Sequence, residues 1–440
     1  MRRLSVALVA LVAVGAAAGA SDTMAQAVPE GSQADRLDKS LRRWPTIGVD
    51  PFRYVFWPGW GLAFNTGAAA WNNSLNAADI GAIIFLADST KNPDGLLPTD
   101  VLNIFGLVPK GEGFGGLASA EGGAYLGGPF GSSFSLGFTG QGRAYGAVLV
   151  NDGAVALFRD GTAADSSFDI GETTGALLAT AEAGVHALTN VGPLASIDGP
   201  HFTLGVGARF IRPVAYARME VDTTSRIEVT GSSIDARIGM EVLQTVDPAD
   251  LGIDTSFAVA TGGSGIAADI VLRLAWPTSG FALEAMFANL GSVSIENVQR
   301  QLLDFSVSTR ILSDVGDSVD AAEFETQAIE AVEVTLPRIV RFSASGWANR
   351  ILQLDAVATL PVSGDFDTPL LIELGSTWRL ANGLPLRAGM LMGGRQGLGF
   401  TGSFGVESKN LLFRVTGASP GGLFRNAKGA GARFELGFFF

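Results

Sequence analysis

GARFELGFFF, residues 431–440, alternates oily and polar positions up to the final phenylalanine. With the two-residue period of a strand, Ala432, Phe434, Leu436, Phe438 and Phe440 share one face. Gly431, Arg433, Glu435, Gly437 and Phe439 share the other, which carries both charges. A core strand of a soluble β-protein has such an oily face. A strand followed by no polar residue, however, calls for an apolar surround, and a bilayer supplies one.

At the other end, Arg2 and Arg3 precede the uncharged run LSVALVALVAVGAAAGA. The small-x-small triplets Ala18-Gly19-Ala20 and Ala25-Gln26-Ala27 follow. This is the form of a secretory signal peptide, so residues 1–27 are expected to be removed, with cleavage between Ala20 and Ala27 and favoured after Ala27. A membrane anchor is the alternative, but an apolar run of about 17 residues, mostly Ala and Val, is at the short limit for spanning. No comparable run recurs, which excludes spanning helices and leaves a closed barrel as the way to cross a membrane.

Composition agrees. Charged residues make up 17% of the chain and Gly numbers 58, as expected where one face of each strand meets lipid and the other needs small residues. The 28 Phe and 7 Trp exclude a disordered chain. The absence of Cys excludes disulfides, thiolate chemistry and Cys-based metal sites. A net charge of -13 argues against a nucleic-acid partner.

Residues 28–56 are polar and Pro-punctuated, which predicts a periplasmic linker or a plug entering the lumen. From Trp57 the chain turns aromatic and Gly-rich, and residues 57–440 are expected to form the barrel. Phe134, Leu136 and Phe138 alternate with Ser135 and Gly137. Phe202, Leu204, Val206, Ala208 and Phe210 alternate with Thr203, Gly205, Gly207 and Arg209. The pattern continues through Leu352–Leu360, with Asp355 on its polar face, and through Leu398–Val406, with Glu407 beyond. Asn151-Asp152-Gly153 is expected to be a hairpin turn joining AYGAVLV to AVALF, and Asn382-Gly383 a second tight turn. Two non-β inserts are expected. In residues 86–113, Thr99 and Asp100 are candidate caps for a short helix VLNIFGLV; residues 316–334 are acidic, Ala- and Glu-rich and helix-prone.

At about 9 to 11 residues per tilted strand, roughly 14 antiparallel strands fit, with 12 or 16 as alternatives. The fold class is thus an all-β, transmembrane, up-and-down barrel. Asp269, Arg273, Glu284, Glu373, Arg379, Arg414, Arg433 and Glu435 are assigned to its lumen. Each is a charge on a strand whose other face is aliphatic or aromatic, and an Arg or Lys facing lipid at the midplane costs about 2 to 4 kcal/mol. The mixed signs predict cross-strand ion pairs.

Several segments resemble the FadL-like superfamily of outer-membrane barrels, including its TraF-like and secretion-associated branches. They are GSGIAADIVLRLAW (263–276), FALEAMFANLGS (281–292), LPRIVRFSASGW (336–347) and GVGARFIRPVAYA (205–217). The chain lacks a clear Asn-Pro-Ala signature near its N-terminus, which many transporters of that group carry. The last strand is similar to the assembly signal of such barrels, which implies that Phe434, Leu436, Phe438 and Phe440 are read by the barrel-assembly machinery. The resemblance implies the bacterial outer membrane, with its lipid as the surround.

Two functions follow. One is a passive transporter or channel for small solutes, hydrophobic ones among them. The other is a non-transporting anchor or assembly component for a secretion or surface complex. No cofactor or metal is expected: the acidic piece SGDFDTP (363–369) lacks the spacing of a calcium loop. An enzyme is not expected either, because neither His186 nor His201 has an adjacent Ser in a nucleophile setting.

Overall fold

The computed structural model describes Phe52 and residues 59–76, 79, 106–111, 113–130, 133–160, 165–193, 200–231, 233–245, 262–276, 279–309, 325–349, 351–363, 370–381, 383–393, 397–408 and 410–440. The signal segment 1–27, the rest of 28–56, the Thr99-Asp100 cap and residues 316–324 lie outside them.

The strands in chain order are β1 (Gly61–Asn72), β2 (Phe114–Phe130), β3 (Phe134–Val150), β4 (Ser166–Asp169), β5 (Thr174–Pro193), β6 (His201–Val221), β7 (Arg226–Thr230), β8 (Ser233–Gln244), β9 (Gly265–Trp276), β10 (Phe281–Thr309), β11 (Glu325–Thr335), β12 (Arg338–Trp347), β13 (Leu352–Ser363), β14 (Leu371–Ala381), β15 (Leu384–Gly393), β16 (Gly399–Glu407), β17 (Leu411–Ser419) and β18 (Gly429–Phe439). Setting aside β4, β7, β8 and β11, the other 14 form a closed antiparallel wall. β1 closes on β18 from Gly61 opposite Phe439 to Trp71 opposite Gly429. Closure removes the open edges that a bilayer would leave without hydrogen-bond partners.

Alternation explains why these segments form this wall. Along β18 the outward Phe434 and Phe438 are exposed, while Arg433, Glu435 and Phe439, on the alternate positions, are buried. Phe64, Phe138, Phe210 and Phe404 stand outward on β1, β3, β6 and β16 in the same way. A barrel whose outer face is this apolar is built to stand in a membrane, which it crosses with strands. Among the described residues no helix is long and apolar enough to do so.

The two rims differ. Gly61 and Phe439 share the rim whose connections are short, such as the Asn382-Gly383 turn, where Gly383 takes a φ of 89°. The opposite rim carries the long connections 73–113 and 222–264 and, on one side only, a raised sheet. β10 runs for 29 residues, about three times what a bilayer requires. Its lower part pairs with β9 and β12, and its upper part with β8 and β11. β8 carries β7, and β7 carries β4.

Two local expectations are corrected. Asn151-Asp152-Gly153 is not a hairpin turn but the start of a helix, α1 (Asp152–Asp160). The Asn151 side-chain oxygen accepts the Gly153 N–H at 2.7 Å, and its carbonyl accepts the Val155 N–H at 3.0 Å. That is a capped helix entry, and it overrides the turn propensity of Asn-Asp-Gly. The acidic insert 316–334 is also not helical where it is described, because from Glu325 it is β11, paired to β10. Partnering with a long neighbouring strand outweighs the helix propensity of Ala and Glu.

Candidate functional site

The inward side chains form a layered lumen whose middle layer is charged. Arg209 on β6 is its hub on one side. Its Nε and Nη2 donate to Asp269 on β9 at 2.7 and 2.9 Å, and its Nη1 donates to Glu182 on β5 at 2.5 Å. Nη2 also donates to the side-chain oxygen of Asn289 on β10 at 2.6 Å. Asn289 sits at a break in the β9–β10 register with a φ of 60°. In that conformation its backbone N–H donates to Asp269 at 2.9 Å and its side-chain N–H to the Pro337 carbonyl at 2.8 Å. Glu182 also accepts from Gln141 and Thr180 and lies 3.3 Å from Arg143 on β3. One arginine thereby ties four strands, with its two carboxylates matched by two cations.

A second hub lies across the barrel. Arg387 on β15 donates to Asp355 on β13 at 2.6 Å, to Glu373 on β14, and to the Thr401 hydroxyl on β16 at 3.2 Å. Thr401 in turn donates to Glu373 at 3.0 Å. Close backbone approach makes room for the guanidinium: a Cβ on Gly375 would lie 2.3 Å from Arg387 Nη2. Further round, Arg414 pairs with Glu407 and, at 3.3 Å, with Glu435. Arg379 reaches Glu407 at 3.2 Å, Arg433 pairs with Glu121, and Arg273 lies 3.8 Å from Glu284. All these cations are arginines, whose planar forks bind carboxylates on neighbouring strands while staying charged.

Above the Arg209 hub an apolar cluster lines the lumen, and below it a second apolar cluster stands among the buried polar side chains His186, Arg273, Glu284 and Arg341. Going from the long-loop rim to the short-turn rim, β5 presents Leu178, Glu182 and Leu188; β9 presents Ala267, Asp269 and Val271; β10 presents Ile295 and Val293, then Asn289, then Ala288 and Met286. The upper residues join Ile211, Tyr216 and Leu243 in one buried cluster. The lower ones join Ala63, Tyr125 and Phe439 in another.

Phe52 belongs to the lower cluster and is 0% exposed. It comes from the segment 28–56 ahead of the first strand, of which it is the one described residue. Its ring stands edge-on to His186, with centroids 5.4 Å apart. Gly205 leaves it space, since a Cβ there would meet Leu188, Val271 and Phe52 at 2.4, 2.4 and 3.1 Å. His186 is fully buried and lies 4.0 Å from Asp269. His201 opens β6 at the short-turn rim.

Of the eight charges assigned to the lumen, Asp269, Arg273, Glu284, Glu373, Arg414, Arg433 and Glu435 are buried on the inner face, and the Arg379 side chain is 14% exposed. Phe434, Phe438 and Phe440 point outward and are exposed, with Leu436 half-buried between them. Sequence reasoning left Glu121, Arg143, Glu182, Arg209, Asp355, Arg387 and Glu407 out of the lumen set. For Arg209, Asp355 and Glu407 the signal was present, because each alternates with apolar residues on its own strand. Phe52 had no such signal.

No protein-family model and no curated protein matches the chain. Among solved structures it is similar to a TodX deltaS2S3 mutant monoaromatic hydrocarbon channel at 10% identity and TM-score 0.49, covering 89% of this chain and 93% of that one. It is also similar to the Ralstonia pickettii toluene transporter TbuX at 10% identity and TM-score 0.43, covering 88% and 92%. A Pseudomonas aeruginosa FadL homologue follows at 11% identity and TM-score 0.42, covering 88% and 91%. At this degree of superposition the likeness carries no weight for activity, and the barrel rests on its own strand pairing.

Proposed function

We propose that the chain is a passive outer-membrane channel for small, neutral, predominantly apolar solutes. The observation that supports this is the layering on the Arg209 side: an apolar cluster, a charged and internally paired layer, then a second apolar cluster bounded by the paired Arg273 and Glu284. A lumen whose charges alternate in sign and hold one another offers no ring of a single sign, as an ion filter would. The upper apolar cluster offers a solute burial from water worth about 25 cal/mol per Å². Phe52 fills the lower cluster as such a solute would. The apolar outer face and the outward Phe434, Phe438 and Phe440 support an outer-membrane location reached through the barrel-assembly machinery. Deleting Phe438 to Phe440 is then expected to lower the folded yield in that membrane sharply.

The test is uptake into vesicles carrying the full chain, comparing a small hydrocarbon with a sugar of similar size while recording ion conductance. Hydrocarbon entry is expected to exceed the protein-free rate and to rise in Phe52→Ala, with little sugar flux or conductance. Equal sugar and hydrocarbon flux, or a large conductance, contradicts the proposal. The second reading, an assembly component, is favoured by one observation, the sheet raised on one side of the rim. It requires a bound partner and no flux.

A further inference from the structure

The raised sheet stands outside the part of the barrel that a bilayer covers, and it ends on one side in β11. Among the described residues all of β11's ladder partners lie on β10, from Ser292 to Leu302, and its other edge carries no ladder. That edge runs from Glu325 to Val334, ahead of Thr335, and its backbone N–H and C=O groups are a template for another strand. It has none of the lysines, prolines or shortness by which sheet edges are commonly blunted. Its charges are all of one sign. Glu325 and Glu333 lie on one face, Glu330 lies on the other, and all three are exposed. Glu333 accepts a hydrogen bond from the Ser292 hydroxyl, and Glu296 on β10 adds a fourth carboxylate opposite Ala331. The nearest cation on β10, Arg300, is already held by Glu241 at 2.6 Å.

We propose that the free edge of β11 is a docking site for an extended, cationic polypeptide segment, which adds to the sheet as a further antiparallel or parallel strand. Charge selects the occupant. A second copy pairing edge to edge would set these glutamates against one another, since like charges facing across a ladder are destabilising. Anionic headgroups are repelled in the same way. A strand with Lys or Arg at alternating positions meets the glutamates while its backbone completes the ladder, which is recognition by strand addition.

The experiment uses the full chain in detergent or nanodiscs, with a Lys-Val repeat peptide as probe and its Glu-Val counterpart as control. Amide hydrogen exchange is followed along β11. The Lys-Val peptide is expected to bind and to slow exchange at alternate β11 amides, those facing the free edge, while the Glu-Val peptide does neither. The triple variant Glu325→Lys, Glu330→Lys, Glu333→Lys is expected to weaken binding of the Lys-Val peptide at least about tenfold, as three exposed ion pairs become repulsive. Retained heat-resistant migration in gels shows that the variant barrel is folded. Binding without protection of alternate amides means simple electrostatic adsorption and overturns the proposal. So does failure to bind, or protection of those amides before peptide is added, which means that the edge is already covered.

Discussion

Arg209 and Arg387 are the same device built twice. Each is an inward arginine holding two carboxylates and one neutral oxygen from three other strands, β5, β9 and β10 in one case and β13, β14 and β16 in the other. Their surroundings differ. Around Arg209 the strands are long, Arg143 supplies a second cation, and apolar layers lie on both sides. Around Arg387 the strands span 9 to 12 residues and one cation faces two carboxylates. The hub is therefore a means of fastening strands and the function lies in what surrounds it. The long-stranded half is shaped to receive a solute, and the short-stranded half is wall.

The largest effect is expected where the two hubs are alike. Arg209→Met strands Asp269 and leaves Glu182 to Arg143, Arg387→Met strands both Asp355 and Glu373, and each is expected to cost about 3 to 5 kcal/mol, read from denaturant unfolding in detergent. If either variant unfolds like the parent, that hub does not fasten the wall.

Charge counting separates the hubs. Glu182→Gln breaks a matched set of two cations and two carboxylates and is expected to destabilise by about 2 kcal/mol. Glu373→Gln leaves Arg387 paired with Asp355 and removes the surplus carboxylate, so its cost is expected to stay within about 1 kcal/mol. Equal costs would erase the electrostatic difference between the halves.

How far these hubs were legible depended on range. The two-residue alternation of single strands exposed Asp269, Glu373 and Arg414 as inward charges, because one face of each strand must satisfy lipid. It could not show that Arg209 meets Asp269 across 60 residues and Asn289 across 80, since pairing at that range is set by barrel closure. Phe52 was hidden because its segment has no period, and a ring enters the lumen only where Gly205 leaves space. β11 and α1 were misread because local propensity was taken alone: the partner strand decided one, and the Asn151 cap the other.

A smaller effect belongs to the raised sheet of the long-stranded half. At the turn after β6, Asp222 accepts from the backbone N–H and the hydroxyl of Thr224, both at 2.7 Å. These bonds hold its carboxyl below the usual range, the backbone bond contributing most. A carboxyl with a lowered folded pKa contributes stability above its unfolded pKa of about 3.9 and loses it as pH falls through the folded value. Acidification below about pH 4 is thus expected to speed amide exchange at Thr224 locally, and Asp222→Asn to blunt that response. Loosening of β14 to β16 at the same pH, rather than this turn, would place the acid-sensitive point in the other half.

The difference between the halves is tested most directly by where a solute sits. The chain has no native cysteine, so single cysteines can replace Leu178, in the upper apolar layer beside the Arg209 hub, and Thr401, at the Arg387 hub. Thiol labelling of each is measured in vesicles with and without a small neutral hydrocarbon such as cyclohexane. The hydrocarbon is expected to slow labelling at position 178 severalfold and to leave position 401 unchanged. Equal slowing at both positions, or slowing at 401 alone, contradicts the assignment of the solute to the long-stranded half.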